Sequence, residues 1–570
     1  MKVGERKSGR KIDLGDSAFT KFLDSLSSKP IIRYMVYSCA VVSFFGLILI
    51  PPILGILLKW NTMGQIFENP DLMSRAATAI SSSFAIAIFV SLIDLAAGLP
   101  MAWFITRGRS RWLNVLDTFT DIPFVVPTVT LGYSLLLFWS GPEGVSSLFE
   151  GSLVSPGWLL IILLHFTFSF PIVVRVMVGG LLDYERTYEE AARTLGAAPL
   201  TADRTVTLPI LKQSLIASFV LAFARSISET GATMMVAGVL ENGKWVGFEN
   251  GPILINNLRT AQEPGYEGAL VFVSFILIVV SCLIFLIIKL LGTRLRIPIR
   301  RVRPAIERKL SGHSVVTLRN SITLLIFLIL ILIPSLFVAL PAIQAISDGT
   351  INQAITATGA WEGYWQSLVL SYFVGTIATI LNVILGLPMA VLIARRRIGT
   401  LSSTILDVLV NVPMIVPSIA LGISLSFFWK NFAFFPEIWL LILAHMSITY
   451  PYFVRSAASA VERISIDLEE AARTLGSRPF TVFRTIILPL TKYSLLAGAI
   501  MVFTRSISET GATLAVVTEL QTVPVLLVSW VKLGSGMSPS QIGLGCGFLI
   551  VLSFIILLIL RLVARGHQHA

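Results

Sequence analysis

Residues 189–196 read EEAARTLG, and the same eight letters return at residues 469–476. A Leu-Pro pair follows each copy, at 208–209 and at 488–489. Each copy with its Leu-Pro pair is a short polar segment between long apolar runs, and we call residues 189–209 the first island and residues 469–489 the second island. Solvation of a loop does not require eight identical residues. The duplication therefore predicts two similar halves, each carrying one docking surface.

The composition places the chain in a lipid bilayer. Of its 570 residues 55% are hydrophobic and 13% are charged, and the mean hydropathy is +0.82, which is far more apolar than a soluble globular protein. The net charge of +12 does not indicate a nucleic-acid partner, because the basic residues cluster beside the ends of apolar runs, where they orient membrane helices. Three isolated cysteines, at 39, 282 and 546, support neither a disulfide framework nor a metal site.

A spanning helix needs roughly 20 apolar residues. The first apolar run follows a basic segment but is too long for a signal peptide and lacks a small-residue cleavage site, so we expect it to stay as a membrane helix. The chain contains about twelve runs of sufficient length, approximately at 34–58, 76–106, 113–140, 157–182, 212–240, 268–291, 320–343, 365–394, 403–429, 437–461, 493–518 and 541–564.

Basic residues alternate between the loops as the positive-inside rule requires. One set of loops is rich in Lys and Arg, whereas residues 140–157 and 342–364 in the other set contain none. We therefore expect both termini to face the cytoplasm. The predicted divisions are a basic cytoplasmic N-terminus (1–33), a first six-span repeat (34–291), a basic cytoplasmic linker (292–319) and a second six-span repeat (320–564).

The halves match beyond the islands. Gly98-Leu-Pro-Met-Ala recurs at Gly386, and the nine residues from Arg225, RSISETGAT, recur whole at Arg505. Because each repeat holds an even number of spans, both copies have the same orientation. The predicted fold class is an all-α membrane protein with about twelve transmembrane helices in two parallel six-helix repeats, related by a pseudo-two-fold axis along the membrane normal and sharing one pathway.

Each island has the pattern of a short helix-turn-helix. Acidic residues open an amphipathic stretch, Gly196 is placed to end it in a left-handed C-cap, and Pro199 blocks its continuation. An ordinary surface helix in a loop between spans is the alternative.

The islands resemble the EAA motif of binding-protein-dependent ABC importer permeases. Both copies keep the spacing from the Glu-Ala-Ala through the glycine to the Leu-Pro pair, and the departure is Val206 where Ile is usual. The resemblance implies that each island is a coupling helix docked in a cleft of an ATP-hydrolysing subunit. The residues implied in ATPase coupling are Glu189, Glu190, Ala191, Ala192, Gly196, Pro209, Glu469, Glu470, Ala471, Ala472, Gly476 and Pro489.

This resemblance also implies the partners. Two copies of an ATP-binding subunit are expected on the cytoplasmic side, with ATP and Mg bound there and no cofactor on this chain. A separate extracytoplasmic binding protein is expected to deliver the solute.

Residues 238–245 match a phosphate loop except that Trp245 replaces the magnesium-binding Ser or Thr, and no strand is expected before them. We therefore expect no ATPase site and no catalytic residues on this chain. The predicted location is the cell's inner membrane.

A second group of candidates lies inside the membrane. Arg225 and Glu229 are four residues apart on the fifth span, as are Arg505 and Glu509 on the eleventh, so each pair shares a helix face. Ionisable residues at this depth are costly and are site candidates by default, although a lock between helices is the alternative. The candidate pathway residues are Arg225, Glu229, Thr233, Arg505, Glu509, Thr513, His165 and His445, although a lone buried His is more often a hydrogen-bonded packing residue.

Two other functions stay open at this point. In a proton-coupled secondary transporter the membrane glutamates and histidines would carry protons, but that class has no use for duplicated islands. A channel would need a ring of filter residues, which is not evident.

The fifth-span stretch 223–233 is similar to that of sulfate, molybdate and tungstate permeases, whereas the fused two-half arrangement resembles ferric-iron and thiamine permeases. We expect a small inorganic ion as the solute.

Overall fold

The structure, a computed structural model, describes residues 18–108, 110–148, 154–241, 244–261, 265–294, 303–432, 435–532 and 536–565. Residues 1–17 of the basic N-terminus, 295–302 of the linker and Gly243 lie outside these ranges. Within them, nine helices are long and apolar enough to cross a membrane, and three further pairs of bent helices bring the number to twelve if each pair is one span. The predicted all-helical fold with about twelve spans is confirmed.

The α-helices of the first half, including those before its first span, are Ala18–Ser28, Pro30–Ser43, Ile50–Leu58, Pro70–Arg107, Trp112–Phe119, Ile122–Val125, Thr128–Ser140, Trp158–Asp183, Thr187–Thr194, Pro199–Ala202, Leu208–Ile210, Lys212–Ser228, Gly231–Val236, Gly251–Ala261 and Tyr266–Arg294. Wider π-turns at Phe44–Leu49 and Asp203–Thr207 join neighbouring helices, and 3-10 helices lie at Trp60–Glu68 and Val145–Leu148.

The α-helices of the linker and second half are Pro304–Leu310, His313–Ile326, Ile333–Leu336, Ala339–Ser347, Thr350–Ile355, Ala360–Ala394, Thr400–Val410, Val412–Ile415, Ser418–Trp429, Glu437–Glu462, Ile466–Thr474, Pro479–Val482, Leu488–Ile507, Gly511–Val516, Val523–Lys532 and Pro539–Arg565. Wider π-turns lie at Phe327–Leu332 and Phe483–Ile487.

The first span of each half packs on the other half. In the first span, Phe44 stacks on Tyr450 with ring centroids 5.6 Å apart. The seventh span, His313–Ser347, makes the matching contacts with the first half, where Phe170 stacks on Phe327 and the Ser134 hydroxyl donates to the Pro334 carbonyl at 2.6 Å. The two halves are therefore interlocked, so the predicted divisions describe the order of the sequence and not two separate packing units.

The third and ninth spans were expected as continuous runs, at 113–140 and 403–429, and both are broken. Each bends by 102° just before Thr128–Ser140 and Ser418–Trp429. In each, an extended valine precedes the proline at the bend, Pro127 or Pro417. Proline disfavours a helical conformation in the residue before it, which explains why both spans turn at the same point.

The fifth and eleventh spans are also broken, whereas the sequence predicted continuous runs over 212–240 and 493–518. The fifth-span helix ends at Ser228, Glu229 is extended, and a new helix Gly231–Val236 begins after the break. The eleventh span repeats this arrangement between Ile507 and Gly511. The break places three polar residues and a glycine, Ser-Glu-Thr-Gly, in the middle of the bundle.

A β-hairpin follows the first of these breaks. Strand Gly238–Glu241 pairs antiparallel with strand Lys244–Gly247, with Leu240 opposite Trp245. As expected, no strand precedes the segment 238–245, because the helix Gly231–Val236 lies before it; the segment itself begins as a strand. Since both strands belong to this one hairpin, the arrangement differs from a phosphate loop, which connects a strand to a following helix.

Candidate functional site

Both islands form the predicted helix-turn-helix. In the first, helix Thr187–Thr194 ends at Gly196, whose φ is +93°, and the Ala197 N–H donates to the Ala192 carbonyl at 3.1 Å. In the second, Gly476 has φ of +86° after helix Ile466–Thr474. These left-handed glycines close the helices as Schellman C-caps, which confirms the conformation predicted for both positions.

The two glutamates of each EE pair have different environments. Glu189 is buried and pairs with Arg107 at the end of the second span, N to O 2.7 Å, while Glu190 is exposed. In the second island Glu469 is buried against Arg395, also at 2.7 Å, and Glu470 is exposed. The first glutamate therefore anchors the island to the bundle, and the second is available to a partner. The sequence had not separated these two positions.

The most exposed apolar side chains of the islands were missed by the sequence reasoning. Leu195 is 89% exposed and Leu475 is 87% exposed, and both stand at the tip of the turn beside the left-handed glycine. Ala191 and Ala471 are exposed on the same short helices. The sequence signal that could have identified these exposed side chains is a leucine at the end of each polar segment. A large apolar side chain held in solvent at the same place in both halves indicates a protein contact surface.

Pro209 and Pro489 have a structural position in the islands. Each lies at the start of a helix that directly follows a π-turn, Asp203–Thr207 or Phe483–Ile487. Proline has no N–H and its ring clashes with the preceding turn, and a wider turn accommodates both effects. These prolines thus shape the helix that enters the fifth or eleventh span.

The breaks in the fifth and eleventh spans meet at the centre of the molecule. The Ser418 hydroxyl donates to the Ser228 carbonyl at 3.2 Å, and the Thr128 hydroxyl makes the matching 3.4 Å contact with the Ser508 carbonyl. Gly231 packs directly on Thr510. Gly511 packs on Thr230 in the same way, so the contacts repeat across the pseudo-two-fold axis. We call residues 228–231 and 508–511 with these contacts the central junction.

The arginine-glutamate pairs hold the two sides of each break together. Arg225, before the break, pairs with Glu229 at 2.7 Å, and the other oxygen of Glu229 accepts from the Ala232 N–H at 3.2 Å beyond it. Arg505 and Glu509 are also 2.7 Å apart, and Glu509 accepts from Ala512 N–H at 3.1 Å. The glutamates therefore lie just past the helix ends, whereas the sequence placed them on continuous helices. Their mutual pairing favours a locking role.

Each predicted histidine also bridges a break. His165 contacts the Ser226 hydroxyl through Nδ1 at 2.7 Å and the Thr233 hydroxyl through Nε2 at 2.9 Å, and these residues lie on opposite sides of the break. His445 makes the same two contacts, with Ser506 and Thr513, both at 2.8 Å. The structure thus brings every pathway candidate to one place. Both ring nitrogens of each histidine are engaged, as expected for a hydrogen-bonded packing residue.

The central junction is closed and electrically balanced. Thr230 and Thr510 are at most 2% exposed, and Glu229 is 3% exposed. Glu229 also lies within electrostatic range of Arg505, so an attraction links the two neutral ion pairs across the axis. Among the described residues, no group of three or more His, Cys, Asp or Glu side chains is placed to hold a metal ion. The central junction is therefore a buried contact between the two halves.

Comparison with known proteins identifies relatives of both halves. The sequence profile described as "Binding-protein-dependent transport system inner membrane component" matches residues 94–297 and 383–568, together more than half of the chain. Sulfate transport system permease protein CysT is 32% identical over 251 residues in Salmonella typhimurium and over 250 residues in Escherichia coli, in each case 42% of this chain and 86% of the relative. A probable sulfate transport system permease protein of Nephroselmis olivacea is 28% identical over 256 residues, 43% of this chain and 86% of the relative.

Proposed function

Because the chain belongs to the family of binding-protein-dependent transport system inner membrane components, we propose that its two halves form the translocation pathway for a small inorganic oxyanion. The chain is the permease subunit of an ABC importer, a multi-pass inner-membrane protein, and not its ATPase. This family membership argues against the secondary-transporter and channel alternatives. The observation that carries the proposal is the duplicated island with its exposed leucine.

The two islands are the docking sites of two ATPase copies, one each, in this proposal. Each presents an exposed apolar tip, Leu195 or Leu475, and beside it an exposed carboxylate, Glu190 or Glu470. An apolar anchor with a polar rim is the usual composition of a protein interface. The islands then lie on the cytoplasmic side, where the partners bind ATP and Mg, and both chain termini lie on that side too.

The binding protein docks at the opposite end of the bundle. The described residues at that end include the two hairpin strands Gly238–Glu241 and Lys244–Gly247 and several short helices, among them Trp60–Glu68, Val145–Leu148, Gly251–Ala261, Thr350–Ile355 and Val523–Lys532. Elements of this size can form a docking surface for a binding protein, but they are too small to form a receptor domain. A separate binding protein delivers the solute in this proposal, which the family description supports because it names a binding-protein-dependent transport system.

Substrate class is supported by three observations. The similar proteins named above are sulfate permeases. The stretch 223–233 is similar to the fifth-span stretch of sulfate, molybdate and tungstate permeases. Helices Thr128–Ser140 and Ser418–Trp429 begin at the central junction, and the positive ends of their dipoles favour an anion there. An oxyanion of the sulfate type fits these observations better than ferric iron or thiamine, which are cations.

Movement of the islands opens the central junction in this mechanism. In the second half one helical stretch, Pro479–Ile507, runs from the island to the break beside Glu509. In the first half the stretch Pro199–Ile210 meets Lys212–Ser228 at a 69° bend. Closure of the ATPases shifts the islands, and these helices transmit the movement to the central junction. The contacts that Glu229 and Glu509 make across the two breaks then separate.

A purified complex tests the function. The chain is tagged in its native host, and the ATPase and binding protein that co-purify are identified and reconstituted with it in liposomes. We expect uptake of radiolabelled sulfate that requires ATP and the binding protein, and competition by molybdate would indicate how selective the site is. Uptake of ferric iron or thiamine in place of sulfate would overturn the oxyanion proposal. Uptake driven by a proton gradient without ATP would overturn the importer proposal.

A further inference from the structure

Each island begins its second helix without a cap of its own. Helices Pro199–Ala202 and Pro479–Val482 have Ala198 and Arg478 at the N-cap position, and neither makes a side-chain cap hydrogen bond. The first N–H groups of a helix have no partner inside the helix, and Ser, Thr, Asp or Asn at the N-cap usually satisfies one of them. In both islands the N-cap residue itself therefore leaves these N–H groups to water or to another segment of the chain.

A distant segment supplies that cap in each half. The Leu200 N–H donates to the Ser311 hydroxyl at 3.0 Å, and Ser311 lies just before the seventh span, which begins the second half. The Phe480 N–H donates to the Ser27 hydroxyl at 3.2 Å, and Ser27 lies just before the first span. The two serines thus precede the first span of one half and cap the island of the other half.

A carboxylate strengthens each of these contacts. The Thr201 hydroxyl donates to Glu307, and Glu307 also pairs with Arg204 at 2.5 Å. In the other half the Thr481 hydroxyl donates to Asp24 at 2.7 Å. The hydrogen bond from Thr201 lowers the pKa of Glu307 below its ordinary value, so this carboxylate is ionised at neutral pH. Cap and carboxylate recur in both halves, although the segments that supply them have different sequences, FLDSLSS at 22–28 and ERKLSG at 307–312.

We infer that helices Ala18–Ser28 and Pro304–Leu310 are cross-half latches that position each coupling island against the opposite half. The first and seventh spans continue from these helices and pack on the half whose island they cap. A shift of one island is therefore transmitted to the span that leads into the other half. The latches make the two islands move together. This inference rests on the proposed coupling role of the islands.

The test removes the caps in the assembled complex. The double variant Ser27→Ala with Ser311→Ala is compared with the matched control Ser28→Ala with Ser314→Ala, whose serines are both exposed. Loss of a helix cap shifts the latched population by about five-fold per latch. We therefore expect sulfate taken up per ATP hydrolysed to fall by about five-fold or more, while ATPase co-purification stays at the control level. Ser27→Thr with Ser311→Thr keeps both hydroxyls and should restore the ratio.

Three results would overturn the latch. One is an unchanged ratio in the alanine variant under conditions where Gly196→Val abolishes uptake. Another is loss of ATPase binding or of expression in the alanine variant, which would mean that the serines only stabilise the fold. If Gly196→Val and Glu190→Lys also left uptake intact, the proposed coupling function would fail, and the latch that rests on it would fail too.

A crosslink gives an independent measurement. Ser27→Cys with Phe480→Cys, made in a chain without the three natural cysteines, should form a disulfide in the complex both without nucleotide and with ATP trapped. Uptake should continue when this latch is locked, because the latch is inferred to stay closed through the cycle. Failure to crosslink, or uptake abolished by the crosslink and recovered on reduction, would contradict the inference.

Discussion

The left-handed glycine in each island provides a quantitative test of the coupling proposal. A Cβ added at Gly196 would meet no atom within 4 Å, so the cost of a substitution comes from the backbone angle of +93° alone. That cost is roughly 1–2 kcal/mol for a residue with Cβ, less for Asn and more for a β-branched residue. The correctly closed turn should therefore lose about five-fold to thirty-fold in population.

The assay compares Gly196→Asn, Gly196→Ala and Gly196→Val in the purified complex. We expect ATP-driven uptake and ATPase co-purification to fall in that order, with Val the most impaired, while expression in the membrane is unchanged. Gly179→Ala is the matched control, because Gly179 also has open space around a Cβ but lies in the helix Trp158–Asp183. Alanine there should leave uptake at the wild-type level.

Two outcomes would refute this reasoning. Full uptake by Gly196→Val would show that the turn conformation is not needed for coupling. Equal loss in Asn, Ala and Val variants would show that the backbone angle does not set the effect. The series at Gly476, with φ of +86°, should repeat the order, and the size of its effect measures how equivalent the two halves are.

The remaining predictions concern the docking surface, the membrane ion pairs and the linker carboxylate. Leu195→Asp should weaken ATPase co-purification by about ten-fold or more, because it places a charge in an apolar contact, and unchanged binding would exclude the tip as the docking anchor. Glu229→Gln should lower the melting temperature more than the double change Arg225→Met with Glu229→Gln, because removing one partner of a buried ion pair costs about 3–5 kcal/mol of stability. Equal melting temperatures of the two variants, with transport lost in both, would favour a pathway role. Wild type and Glu307→Gln should differ in melting temperature at neutral pH, because the lowered pKa of Glu307 makes the contribution of its carboxylate present there. The two melting temperatures should converge as the pH falls through that lowered pKa, and a difference that persists in strong acid would contradict this.

The sequence by itself determined the membrane class, the number of spans, the duplication and the closing glycines. Each of these depends on local properties. The length of an apolar run decides whether a helix can cross the bilayer, and a glycine at the end of a short amphipathic stretch, with a proline close behind it, favours a left-handed cap. For this reason the expected spans, of which the described residues give up to twelve, and the conformation of Gly196 agreed with the structure.

The breaks in the spans depended on tertiary contacts. The stretch Ser228 to Gly231 contains no proline, and its helix ends there because Arg225, Glu229 and His165 together hold the two sides of the break. Those contacts join residues up to 68 positions apart in sequence. Hydrophobic periodicity along one segment carries no information about such partners, so a continuous helix was predicted.

Tertiary structure alone also decided which residue of each repeated pair faces inward. Glu189 and Glu190 are adjacent and chemically identical, yet only Glu189 is within reach of Arg107. In the same way, nothing in the apolar composition of the first and seventh spans states that each packs on the opposite half, or that Ser27 and Ser311 cap the islands there. Composition fixes that a segment is buried in the membrane, but the choice of partner depends on the shape and charge of surfaces that exist only when both halves are assembled.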